Sequence, residues 1–192
     1  VFDPSREREK LRLVTTLIPN GSKNSADATI MSGGVLMPLD IGRIVLMNWE
    51  SGMQLGSPFQ PPTKPGEKVT WTQPVVSPAD PGQLLIGDSR SKLYRLRVGE
   101  QIRELSSVTV PHKFTGGASA AGGSWLAAAT GAAGDILVTY STTTLEETGK
   151  RTMGSPIVFG PVTAGEFVLL QTADGRLHRV NESADIVWSM DI

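Results

Sequence analysis

Four copies of one loose unit run through this chain, and their spacing constrains the fold more than any other feature. The copies centre on Val35-Leu36-Met37-Pro38, Gln83-Leu84-Leu85-Ile86-Gly87, Trp125-Leu126-Ala127-Ala128-Ala129 and Phe167-Val168-Leu169-Leu170-Gln171. From Val35 to Leu84, from Leu84 to Trp125 and from Trp125 to Phe167 the spacings are 49, 41 and 42 residues. A period of about 40–50 residues with several short strands per unit is that of propeller blades. The expected fold class is therefore all-β: a β-propeller of four-stranded antiparallel blades, about four to five of them present, as part of a larger propeller.

Each unit parses into four strands, A to D from the axis outward. In the first they fall at Thr29–Met31, Val35–Pro38, Arg43–Met47 and Met53–Leu55. In the second they fall at Thr72–Ser77, Gln83–Gly87, Lys92–Arg97 and Ile102–Leu105. The third has Gly117–Ala121, Trp125–Ala129, Asp135–Tyr140 and a poorer outer strand around Glu147–Met153. The fourth has Ser155–Val158, Phe167–Gln171, Arg176–Val180 and Ile186–Met190. Asp174-Gly175 between two apolar runs is a strong hairpin signal, because Gly accepts positive φ without a Cβ clash. Ahead of the first unit, Leu11–Leu17 reads as an outer strand and Val1–Pro4 as a strand cut short. The expected division is the end of a preceding blade at 1–26, then blades at 27–60, 70–110, 115–153 and 154–192. A four-bladed ring stays open as an alternative if Leu11–Leu17 serves as an extra outer strand.

Composition excludes several classes of function. With 18 basic and 19 acidic residues the net charge is −1. That argues against a sequence-independent grip on nucleic acid or on an anionic membrane surface, since both need concentrated positive charge. Cysteine is absent, so no disulfide, thiolate nucleophile or zinc-thiolate site can form. No apolar run approaches the roughly 20 residues of a membrane helix, so no membrane insertion is expected.

Asn48-Trp49-Glu50-Ser51-Gly52-Met53-Gln54-Leu55 resembles the turn after strand C in PQQ-like (quinoprotein-type) propeller repeats. So does Leu177–Asn181 leading into Ile186-Val187-Trp188, while Gln73-Pro74-Val75 and Ser155-Pro156-Ile157 are similar to the opening of the repeat's A strand. The resemblance implies that Trp188 docks between neighbouring blades, with Gly52, Asp174 and Gly175 shaping turns. The match is degenerate: Gly56 stands where the first unit should end on Trp, the second unit's turn shrinks to Val98-Gly99, and the third keeps only a displaced Thr148-Gly149. The family includes quinone-cofactor dehydrogenases and many non-enzymatic scaffold or binding proteins, and by analogy with it an extracytoplasmic location is favoured. The repeat residues specify packing, so the resemblance implies a fold rather than a reaction.

Catalytic and metal-binding constellations are not apparent. His112 and His178 stand far apart in sequence and outside any H-x-H or H-E-x-x-H pattern, and a packed or solvated imidazole is the default for each. Asp88 and Asp174 lie in hairpins, where an Asp side chain caps its own turn. Gly116–Gly123 lacks the Lys of a phosphate loop and reads as an inner strand of small residues. Ser119 and Ser124 have no base at a helpful spacing, and adjacent Glu146-Glu147 would point to opposite faces of a strand. Asn20-Gly21-Ser22 and Asn181-Glu182-Ser183 fit a glycosylation pattern that is common by chance. The strongest local charge feature is Arg90, Lys92, Arg95, Arg97 and Arg103, a possible anion or partner patch in which Arg95 and Arg97 share one strand face. The functional expectation is a non-catalytic module for protein interaction or scaffolding, with no cofactor and no quinone or calcium dependence. Its alternatives are part of a quinone-dependent dehydrogenase or a sugar-binding propeller. A protein partner is expected, and the open blade ends call for the rest of the propeller or a second copy of the chain.

Overall fold

The period-two apolar runs pair into sheets as their spacing predicts. A computed structural model of the chain describes residues 22–31 and 33–192, so the expectations for Val1–Pro4, for Leu11–Leu17 and for the triplet starting at Asn20 lie outside the described residues. The described chain forms four four-stranded sheets. The first comprises β1 (Thr29–Met31), β2 (Gly34–Pro38), β3 (Ile44–Met47) and β4 (Gln54–Phe59). The second comprises β5 (Val75–Ser77), β6 (Asp80–Gly87), β7 (Lys92–Val98) and β8 (Ile102–Thr109). The third comprises β9 (Phe114–Ala121), β10 (Ser124–Gly131), β11 (Gly134–Ser141) and β12 (Glu147–Thr152). The fourth comprises β13 (Ile157–Ala164), β14 (Phe167–Thr172), β15 (Arg176–Val180) and β16 (Ile186–Asp191). Every pairing is antiparallel and joins sequence neighbours. The first strands β1, β5, β9 and β13 lie side by side in that order, which places the sheets as consecutive blades about one axis.

Three apolar clusters fill the gaps between successive sheets. Leu36, Ile44 and Leu46 meet Leu84, Ile86, Tyr94 and Leu96 between the first and second. Leu85 and Leu93 meet Phe114, Trp125, Val138 and Tyr140 between the second and third. Leu126 and Leu137 meet Val168, Leu170 and Val180 between the third and fourth. Each fully buried Leu, Ile or Val contributes about 1.5–3 kcal/mol, so these gaps hold the blades together. A smaller cluster of Leu39, Val45 and Met47 occupies the far face of the first sheet.

Hydrogen bonds tie every successive pair of blades. The Thr29 hydroxyl donates to the Pro74 carbonyl (2.8 Å), and the Gln73 amide donates to the Gly116 carbonyl (2.9 Å). The Thr163 hydroxyl donates to the Ala120 carbonyl (2.7 Å), and the Ile157 amide donates to Asp135 Oδ2 (2.8 Å). Among the described residues, no hydrogen bond or apolar cluster joins the fourth sheet to the first.

Strand ends differ from the sequence reading in instructive ways. β13 runs to Ala164, well past the expected end at Val158, and its register shifts on both sides of Phe159. The third outer strand is a continuous six-residue strand with one register shift against β11, despite its polar sequence, because an outer strand with mostly exposed side chains needs no apolar alternation. Val69 and Trp71, which precede the expected first strand of the second blade, are buried in the first gap; Trp71 packs edge-on against Tyr94 with ring centroids 5.7 Å apart.

The turns after the second strands repeat one geometry. The Gly42 amide donates to the Leu39 carbonyl, Ser91 to Asp88 and Gly175 to Thr172, each at 3.1 Å. The donor residue has φ of 77°, 63° and 82° respectively, so Gly175 fills a left-handed position as the hairpin signal requires. Gly52 (φ 67°) plays the same part after β3.

Candidate interaction surfaces

Six residues after the first residue of each of these turns lies a side chain on the third strand, and the pair decides the local chemistry. In the first sheet the pair is apolar, Leu39 and Val45. In the second it is Asp88 and Tyr94, joined at 3.0 Å between carboxylate and hydroxyl. In the fourth it is Thr172 and His178, joined at 2.9 Å between Oγ1 and Nε2.

Asp88 is buried and its carboxylate is fully used. Oδ1 accepts the Arg90 and Lys92 amides at 2.9 and 3.0 Å, capping the turn. Oδ2 accepts Arg90 Nε and Nη2 at 2.9 and 2.7 Å and the Tyr94 hydroxyl. Burial first, then the Asp88 charge, pushes the Tyr94 phenol well above its usual range. Asp174 does not share this position. It stands third in its turn, exposed, with its carboxyl 4.0 Å from Arg176 Nε and held below its ordinary value chiefly by the Thr172 hydroxyl. Thr172 occupies the place of Asp88, so only one of the two hairpin aspartates is a buried turn cap.

His178 is packed, the default for a lone imidazole on a strand. Its Nδ1 lies 2.7 Å from Ser189 Oγ and its Nε2 contacts Thr172. Burial is the main cause of its lowered pKa; Arg176 lowers it further, and Asp174 opposes the shift. The neutral ring is thus favoured in the fold. Stability from this site is complete above the unfolded value of about 6.5 and declines as pH falls from there toward the lower folded pKa. Denaturation midpoints measured from pH 8 to pH 5 are expected to fall over that window, and the fall should be smaller in a His178→Gln variant. Equal slopes in both proteins would contradict this assignment.

The basic cluster is divided between two faces. Arg90 and Lys92 lie on the Tyr94 side, where Lys92 Nζ sits 5.0 Å from the Tyr94 ring centroid. Arg95 and Arg97 share the opposite face, as the two-residue period predicts. Arg95 Nη1 donates to the Thr143 carbonyl at 2.6 Å, and Arg97 Nη2 donates to Asp80 Oδ2 at 2.8 Å. Arg103 is exposed opposite Arg97 on β8. Four of the five cations are therefore engaged within the chain. His112, in the connector before β9, pairs with Glu147 on β12 at 2.9 Å. Asn181 accepts the Ser183 and Asp185 amides at 3.0 and 2.8 Å and so caps the last turn.

Ser25, Thr70, Thr72, Asp88, Ser89 and Thr115 help to line a polar cavity of about 140 Å³ at the ends of the first three sheets. That is below the roughly 300–1,000 Å³ of small-molecule sites, and the Asp88 carboxylate beside it is already saturated.

The fourth sheet offers the larger surface. Its alternation directs Val168, Leu170, His178 and Val180 toward the third sheet. Leu169 pairs with Arg179, Arg179 with Trp188 and Leu177 with Met190, so these side chains fall on the other face. Phe159 opposite Gln171 and Val162 opposite Leu169 join them. Phe159 is 54 % exposed, Met190 51 % and Trp188 37 %. The docking expected of Trp188 is not made among the described residues: its ring stands on the face that none of the other three described sheets meets. Sequence reading found Trp188 but missed this face, whose signal is the residue-by-residue alternation of Phe167 to Gln171 against Leu177 to Arg179.

No family profile and no curated protein matches the sequence. Solved structures do match the fold. BamB from Moraxella catarrhalis is 12 % identical over 89 % of this chain and 50 % of its own, with a TM-score of 0.66. The WD40 domain of Toxoplasma gondii coronin is 12 % identical over 88 % of this chain and 46 % of its own, also at 0.66. BBS1N in complex with ARL6DN is 14 % identical over 86 % of this chain and 53 % of its own, at 0.59. The chain spans about half the length of these structures. The likeness establishes a propeller repeat protein, with the described residues forming an arc of four blades, and nothing finer.

Proposed function

We propose that this chain is a non-catalytic propeller module of the PQQ-like kind, serving as a rigid platform for protein interaction or scaffolding. The observation that carries the reading is the apolar face of the fourth sheet, which no other described sheet covers. Phe159, Val162, Trp188 and Met190 all stand exposed on it, on a sheet whose other face is firmly packed. Scattered exposed apolar residues are ordinary, but a contiguous apolar sheet face marks an interaction site. The frame behind it is stiff, because each blade is joined to the next by a packed gap and hydrogen bonds. The buried polar groups Asp88 and His178 are spent on structure, which favours a binding role over a reaction. Two similar structures, BBS1N in complex with ARL6DN and the Mitotic Checkpoint Complex, are of assemblies, which supports a protein as the partner class.

A photo-crosslinking amino acid placed at position 188 tests this in the source cells. The expected result is a discrete protein adduct, absent when the same group replaces exposed Arg103. Adducts only with water or buffer would contradict an interaction role for this face.

A further inference from the structure

The outer strands β4, β8, β12 and β16 each leave one edge without a strand partner among the described residues. β4, β8 and β12 are followed by further blades and keep that free edge, so the free edge of β16 belongs to the blade pattern rather than to its place in the chain. A free edge presents a row of unpaired N–H and C=O groups, and proteins guard it with charges or proline. Three of these edges are guarded. β4 carries Pro58, and the Glu100 carbonyl lies close against its Gly56. β8 carries Arg103 and Glu104, and β12 carries Glu147, Lys150 and Arg151. β16 reads Ile186-Val187-Trp188-Ser189-Met190-Asp191, with no proline and a single charge at its last residue. From Val187 onward every residue of β16 is exposed.

The register identifies the backbone groups that this edge offers. Ile192 lies opposite Gly175, and its amide donates to the Gly175 carbonyl at 2.9 Å. In an antiparallel ladder hydrogen-bonded and open pairs alternate. Leu177 with Met190 and Arg179 with Trp188 are therefore bonded pairs, while His178 with Ser189 and Arg176 with Asp191 are open ones. The N–H and C=O of Ser189 and Asp191 thus point away from β15, two donors and two acceptors in one row. Among the described residues they meet no other backbone group. The bulge between Arg179 and Val180 lies at the other end of the strand and leaves this row regular.

The flanking side chains define the rest of the match. Trp188 and Met190 carry the apolar face of the fourth sheet out to this edge. Asp191 stands on the opposite face, its side chain 88 % exposed, and shares Arg176 with Asp174, so this end of the edge holds one net negative charge.

We propose that β16 takes a fifth strand: an extended segment of a partner protein, bonded to the outward groups of Ser189 and Asp191, with apolar side chains beside Trp188 and Met190 and a lysine or arginine beside Asp191. In such pairing main-chain bonds give affinity and alternate side chains give specificity. The proposal rests on the reading of this chain as a protein-interaction module, and adds a binding mode at the edge to the face already described.

The test uses the purified 192-residue chain. Peptides selected on it from a phage-displayed random library are synthesised and titrated, with amide hydrogen exchange read residue by residue by NMR. In the free chain the Ser189 and Asp191 amides are expected to exchange fast beside slow Trp188 and Met190. With a selected peptide bound, both should slow at least about tenfold. N-methylation of alternate peptide amides should weaken binding at least about tenfold. So should Asp191→Pro, which deletes one outward N–H and leaves the ladder to β15 intact. Circular dichroism checks that the variant folds, and the N-methyl comparison needs no variant. A library that yields no binder overturns the proposal, as do peptides that leave both amides unprotected or tolerate both changes. If such peptides nonetheless shield Trp188 and Phe159 from oxidation, the docking face stands and only the added strand falls. Protection of the two amides in the chain alone at tens of micromolar makes a second copy the occupant, and also overturns the partner strand.

Discussion

Replacing Trp125 with alanine is expected to cost about 3–5 kcal/mol of unfolding free energy, the usual range for a buried aromatic. Trp125 is fully buried on β10, facing the second sheet. Phe114 meets it edge-on at 5.2 Å and 89°, and Tyr140 lies 6.1 Å away on the paired strand. Leu85, Leu93, Val75 and Val108 close the pocket from the neighbouring blade. The alanines beside it on β10 and β9 cannot expand to fill the hole, so the cavity persists. The indole N–H has no partner, so it offers nothing that a phenyl ring would forfeit, and Trp125→Phe should be milder. Urea denaturation followed by circular dichroism measures both. A loss below roughly 0.5 kcal/mol for the alanine variant, typical of surface changes, would mean that the second and third blades do not meet as described.

Removing the Asp88 carboxylate should be similarly costly, for an electrostatic reason. Breaking a buried ion pair by deleting one member costs about 3–5 kcal/mol, because the other is left uncompensated. Asp88→Ala strips Arg90 Nε and Nη2 and the Tyr94 hydroxyl of their acceptor and uncaps two turn amides. Arg90 keeps its bond to the Pro62 carbonyl and is partly open to water, which places the loss near the lower end, about 3 kcal/mol. Asp88→Asn retains an oxygen for the turn amides and should lose less. Chemical denaturation of the two variants gives the comparison, and an alanine variant as stable as the parent would show that the network contributes nothing.

Those two residues also show where the sequence could be read and where it could not. The continuous apolar run from Trp125 to Ala129 and the turn after Leu85-Ile86-Gly87 announce strands on local grounds, so blade number, order and hairpin positions were legible. Asp88 as a turn cap was legible too, since that role is set within four residues. Its partnership with Tyr94 and Arg90 needs the hairpin closed, and the six-residue interval that repeats at Thr172 and His178 has meaning only once strands are in register. Val69 and Trp71 escaped because they sit in a connector whose burial comes from two sheets folding over it. Trp188 was found by resemblance, yet which face it takes depends on the bulge between Arg179 and Val180. The basic cluster looked continuous in sequence, whereas the pleat splits it and spends Arg90, Arg95 and Arg97 on acceptors from distant positions.

Hydroxyl-radical footprinting tests most directly whether the fourth sheet is a protein-docking face. The reaction oxidises exposed Met, Trp and Phe side chains and is read residue by residue. In the isolated chain, Met190, Trp188 and Phe159 should be oxidised readily while buried Trp125 stays unreactive. With a protein partner bound those three should become protected together, while exposed Met53 and Trp49 on the first sheet's turn stay as reactive as before. Protection confined to other surfaces, with Met190, Trp188 and Phe159 as reactive in the assembly as in isolation, would contradict the account.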